Sequence, residues 1–95
     1  MNRTTRICAA PHAAFRRLAG EGGGVLLHLK STAYFEVNEM GATIWEMVRD
    51  KITLEELVNR VRALLADPPA GLEDDIARFV DDLTSRDLVV IEPVS

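Results

Sequence analysis

The chain has 95 residues, 47% of them hydrophobic and 27% charged, with a net charge of -4; this is the composition of a single small globular domain, residues 1–95, without room for a second. No apolar run approaches the roughly 20 residues of a membrane helix, the N-terminal MNRTTRICAAPHAAF lacks the continuous apolar core of a secretory signal, and a single cysteine, Cys8, excludes an internal disulfide. A cytoplasmic protein with no membrane partner and no metal or cofactor is the expectation.

The charge is unevenly divided. Residues 1–30 carry Arg3, Arg6, Arg16, Arg17 and Lys30 against Glu21, a net +4, so residues 31–95 carry -8. An acidic helical part counts against DNA or RNA as a ligand, because both need a basic face.

The N-terminal third has two turn signals, Pro11 and the run Gly20–Gly24, and Ala13–Leu18 between them reads as a strand. In Val25–Lys30, Val25, Leu27 and Leu29 alternate with Leu26, His28 and Lys30, the pattern of a second strand. Lys30, Ser31 and Thr32 turn the chain into a third, Ala33–Val37. Short connections make these an antiparallel meander in which the third strand is an edge. Tyr34–Val37 has no Lys, Pro or Gly, the usual devices that protect an edge, and so offers free backbone groups beside an apolar surface. Alternation sends either Tyr34 and Glu36 or Phe35 and Val37 toward the helices, and Phe35 and Val37 are the more apolar pair.

At Asn38 the period changes from 2 to 3.6. Asn38 is placed to cap a helix running to about Arg49, with Val37 and Ala42 as a staple and Met40, Ile44, Trp45 and Val48 on one face. Asp50, Lys51 and Ile52 form the next connection. Thr53 and Glu56 fit a capping box for a second helix, Leu54 to about Ala66, which Pro68 and Pro69 end. A third helix runs from Gly71 or Leu72 to about Arg86. Its first turn is acidic, and Leu72, Ile76, Phe79, Val80 and Leu83 form its buried stripe. Asp87 turns the chain, and Leu88–Ile91 is a short β-prone tail.

Nothing in this order assembles an active site. His12, His28 and Cys8 lack the paired short spacing of a zinc site; His28 reads as a surface residue and Cys8 as a small buried hydrophobe. Gly22–Gly24 is not followed by a helix, which excludes a phosphate-cradling loop. The pairs Asp74, Asp75 and Asp81, Asp82 are adjacent on a helix, diverge by about 100° and read as solvated surface.

The succession GGVLLHLKSTAYFEVN, GATIWEMV, ITLEELVNRV and DDIARFVDDLTSRDLV resembles, from about Arg6 to Ile91, the PqqD-like family of precursor peptide recognition elements. The resemblance implies an α+β winged helix-turn-helix, a three-stranded antiparallel sheet followed by three helices, that binds no DNA and is not an enzyme. It implies a protein that holds the leader segment of a ribosomally made precursor peptide and presents it to modifying enzymes. On this sequence the leader would add to the strand Ala33, Tyr34, Phe35, Glu36 and Val37. It would lie against the helix bearing Asp75, Arg78, Phe79, Asp82, Leu83 and Arg86, with Phe79 and Leu83 divided between core and groove. YFEVN and GATIW look more like the free leader-binding proteins of lasso-peptide clusters, which work with a leader peptidase and a macrolactam-forming cyclase, than like the protein of pyrroloquinoline quinone synthesis. Asp87 stands where relatives often carry Gly. Two readings compete: the edge is covered by Leu88–Ile91 or by a second copy, or the chain is a winged-helix DNA-binding regulator whose acidic third helix would repel phosphates.

Overall fold

The computed structural model describes residues 2–20 and 22–92. In chain order the elements are β1 (Arg6–Ala9), β2 (Ala13–Arg17), β3 (Gly24–His28), β4 (Tyr34–Val37), α1 (Glu39–Val48), β5 (Ile52–Thr53), α2 (Leu54–Leu64), α3 (Leu72–Ser85) and β6 (Val89–Glu92). The α+β class is as the sequence implies. The single sheet is not: the strands divide into two antiparallel sheets, ordered β2-β3-β4 and β5-β1-β6.

The first sheet is the expected meander. Its β2–β3 connection passes through Gly20 and Gly22, whose φ values of 84° and 77° lie in the left-handed region, and Leu18 N–H donates to Gly23 O at 2.9 Å to close the turn. Gly24 is needed for closeness as well, since a Cβ there would lie 2.4 Å from the Phe15 ring. The second sheet was not read from the sequence. β1 pairs with β6 from Arg6↔Glu92 to Ala9↔Val89, and on its other side with the two-residue β5. The tail after α3 therefore completes the second sheet and does not cover β4, which pairs with β3 alone among the described residues. That removes the tail as the cover for the edge.

The helices follow their caps. The Gly41 N–H donates to Asn38 Oδ1 at 2.8 Å at the start of α1. At the start of α2 the capping box is complete, Glu56 N–H donating to Thr53 Oγ1 at 3.1 Å and Thr53 N–H to Glu56 Oε1 at 3.3 Å. α3 has no side-chain cap at Gly71 and begins on Glu73, Asp74 and Asp75, whose charges suit the positive end of the helix dipole. Its other end is a Schellman motif. Asp87 adopts φ 61°, its N–H donates to Thr84 O and the Leu88 N–H to Leu83 O, both at 3.0 Å, and Leu83 and Leu88 are both buried.

One core joins the layers. Trp45, Ile44 and Val48 of α1, Leu57, Val58 and Val61 of α2, and Ile76, Val80 and Leu83 of α3 pack with Leu26 of β3 and Ile7 of β1. Outside the core, the Arg17 guanidinium holds Glu46, its Nε 2.7 Å from Oε1, and ties β2 to α1. Cys8 is half-buried, more accessible than its sequence suggested.

Candidate functional site

β4 supplies the site's backbone. Its ladder to β3 pairs Leu26 with Phe35 and Gly24 with Val37, and the hairpin is closed by His28 N–H donating to Ala33 O at 2.9 Å. In an antiparallel ladder bonded and non-bonded positions alternate, so Phe35 and Val37 turn their N–H and C=O groups to β3 while those of Tyr34 and Glu36 point out from the edge. Side chains alternate about the other axis. Val37 is buried and Phe35 half-buried toward the helices, whereas Tyr34 and Glu36 are exposed, Tyr34 by 70%. Phe35 and Val37 are thus the inward pair, as expected from their apolarity.

Beside this edge lies a groove of about 550 Å³. It is lined by Phe35 and Val37 of β4, by Asp75, Ile76 and Phe79 of α3, by Met40, Gly41 and Ile44 of α1, and by Leu65 and Pro69 of the α2–α3 connection. Gly41 makes the junction possible: a Cβ there would lie 2.9 Å from Val37 Cβ and 3.2 Å from Phe79 Cζ. Met40 and Leu65 also border a cavity of about 430 Å³ against Leu64 of α2. Phe35 continues the groove the other way, into a smaller hollow of about 160 Å³ with Ala33, Tyr34 and Arg86. There the Arg86 guanidinium lies over the Phe35 ring, 4.0 Å from its centroid, and its Nε is 3.5 Å from Asp82 Oδ1.

Of the residues expected at the site, Phe35, Glu36, Val37, Asp75 and Phe79 line the groove and Ala33, Tyr34 and Arg86 the hollow that extends it. Asp82 holds Arg86. Leu83 is fully buried, so the division of Phe79 and Leu83 between groove and core resolves with Phe79 in the groove. Arg78 is exposed and lines neither cavity. The contribution of α1 was missed, because Met40 and Ile44 read as core; the signal was Gly41, a poor helix former in the first turn directly after an edge strand.

The two histidines are not scattered surface residues. His12 and His28 stand 4.5 Å apart, centroid to centroid, and their Nε2 atoms lie 3.0 and 3.1 Å from Asp87 Oδ2. The Asp87 carboxyl is held below its ordinary range, chiefly by the hydrogen bond from His28 and further by the two imidazoles' charge, against some desolvation. The three ligand atoms are close enough to suggest a metal, but His28 Nδ1 accepts the backbone N–H groups of Lys30 and Ser31 at 3.3 and 3.2 Å. The neutral ring therefore carries its proton on Nε2, the atom a metal would need, and donates it to Asp87. The cluster is a clamp between the end of α3 and the meander.

The fold is similar to that of solved proteins. The structure of TbiB1 in complex with the TbiA(beta) leader peptide matches with a TM-score of 0.75 at 23% identity, over 93% of this chain and 98% of that one. A lasso peptide synthetase B1 complexed with its leader peptide matches with a TM-score of 0.73 at 20% identity, over 88% and 96%. No curated protein matches in sequence. Residues 23–89, from the β2–β3 turn through α3 to the start of β6, match the family described as coenzyme PQQ synthesis protein D, and the chain belongs to this PqqD family.

Proposed function

We propose that this protein is a non-catalytic binder of the leader segment of a ribosomally synthesised precursor peptide, taking the leader as an added strand on β4. The observation that carries the reading is the conjunction of a strand edge without a partner among the described residues and an apolar groove beside Phe35, Glu36 and Val37. Backbone groups of Tyr34 and Glu36 supply affinity without regard to sequence, and the groove between Phe35, Val37 and Phe79 selects side chains at alternate positions. The contact residues on this reading are Ala33–Val37 with Asp75, Arg78, Phe79, Asp82, Leu83 and Arg86, of which Leu83 acts from beneath as core. Both similar structures named above hold leader peptides, and one is a lasso peptide synthetase component. That supports a lasso-peptide pathway, in which the bound leader is delivered to a leader peptidase and a macrolactam-forming cyclase. We read α2 and α3 as the helical pair of a winged helix-turn-helix given over to peptide. An acidic α3 first turn would repel phosphate, which argues against a DNA-binding role.

The test is a titration of the purified protein with the leader of a short precursor encoded beside its gene, read by backbone amide shifts. Binding in the micromolar range, about -8 kcal/mol, with shifts concentrated in β4 and along α3 from Asp75 to Arg86, is expected. Shifts confined to other surfaces, or retention on duplex DNA in place of peptide, would overturn the reading.

A further inference from the structure

The groove has two charged lining residues, Asp75 of α3 and Glu36 of β4, and both are acidic. Five carboxylates elsewhere are engaged, Glu46 by Arg17, Glu73 by Arg3, Asp82 by Arg86, Asp87 by the two histidines and Glu92 by Lys51, whereas Asp50, Glu55, Asp67, Asp74 and Asp81 are not and lie outside the groove. Among the described residues, neither Asp75 nor Glu36 has such a partner. A third acid, Glu39, borders the adjoining cavity at the same end of the strand. Arg86 sits at the opposite end, beside Ala33 and Tyr34, and is already occupied with Asp82 and the Phe35 ring. The potential along β4 is therefore polarised, negative where the strand meets α1 and relieved where it leaves the β3–β4 turn.

We propose, building on the leader-binding reading above, that the docked peptide carries a lysine or arginine where it passes Glu36 and Asp75. Strand addition makes this a requirement of two neighbouring positions. A peptide residue facing the helices meets Asp75 beside the apolar lining, and the next residue, facing outward, lies across from Glu36 as a cross-strand pair. A cation at the inward position gains from Asp75 and one at the outward position from Glu36, and an acid at either is repelled by the carboxylate on its own side. Both carboxylates are exposed, so solvent and salt screen them as they do other surface charges. An exposed pair of this kind changes affinity by about twofold to fivefold, enough to select register along an edge whose backbone bonds are indifferent to sequence.

The experiment uses the whole chain, immobilised, and a degenerate library of short capped peptides with one fixed central leucine, the retained peptides being sequenced. Enrichment of Lys and Arg over Asp and Glu on one side of the leucine is expected. That preference should vanish for Asp75→Asn with Glu36→Gln and reverse for Asp75→Lys with Glu36→Lys, each checked for fold by circular dichroism. Retained peptides that show apolar alternation with no charge preference, or a preference that survives the double neutral variant, would overturn this inference and leave leader binding standing. A chain that retains no peptide would overturn both.

Discussion

Asp87 does with one side chain what two other elements depend on. It occupies the left-handed position that ends α3, and its carboxylate reaches both His12 before β2 and His28 at the end of β3. A glycine there would relieve the backbone and lose the clamp, whereas Asp87→Ala would lose the clamp and keep the strain. Asp87→Ala is therefore expected to melt below both the wild type and Asp87→Gly. The pH dependence has a definite sign. The folded-state pKa is lowered from its ordinary 3.8, so the clamp's contribution is present in full above the unfolded value and is lost as pH falls through the folded one. The melting-temperature gap between wild type and Asp87→Asn should accordingly close as pH falls through and below the ordinary carboxylate range; a gap that persisted at the acid end would refute the assignment. Trp45, 2% exposed among core side chains, is a simpler case. Trp45→Ala should cost about 3 to 5 kcal/mol in denaturant unfolding.

At the scale of elements, β4 is the consequential piece, and it can be tested without disturbing its pairing to β3. Because the Glu36 N–H points away from β3, Glu36→Pro removes an outward donor and leaves the ladder intact, the one setting in which a strand accepts proline. Leader affinity should fall by tenfold or more, about 1.4 kcal/mol, with the far-ultraviolet dichroism unchanged. Gly41→Val tests the junction from the helix side. The added atoms meet Val37 and Phe79, so α1 must move off the strand, and both the melting temperature and leader binding should drop together. Elements of this kind were legible before any coordinates. Asn38 and the Thr53–Glu56 box announce their helices through local hydrogen bonds, and the change of period at Asn38 separates sheet from helix. β1 was not legible: four residues, RICA, show no alternation, and β5 has only two. Their strand character comes from partners far along the chain.

At the scale of the whole molecule, the two-sheet arrangement and the triad of His12, His28 and Asp87 share that property. Asp87 lies 75 residues from His12, and no spacing rule joins them. Half of the candidate site was visible for the same reason in reverse, since edge, inward pair and α3 stripe are set by local periodicity. The part built by α1 and by the α2–α3 connection needed the packing. The whole-molecule view also grades the arginines on α3. Arg86 borders the groove's extension and covers Phe35, while Arg78 is exposed and lines neither cavity. In calorimetric titration with leader, Arg86→Glu should weaken binding more than Arg78→Glu, and equal losses would count against the groove as drawn.

The pairing of β1 with β6 has a mechanical side. Arg6 lies opposite Glu92 at the outer end of that ladder and Ala9 opposite Val89 at the inner end, so tension applied ahead of Arg6 and beyond Glu92 loads the rungs one after another instead of together. Such a ladder unzips at low force, and an unfoldase gripping the chain from either end would meet its weakest resistance first. Once β1 peels away, Ile7 leaves the core and β5 loses its partner.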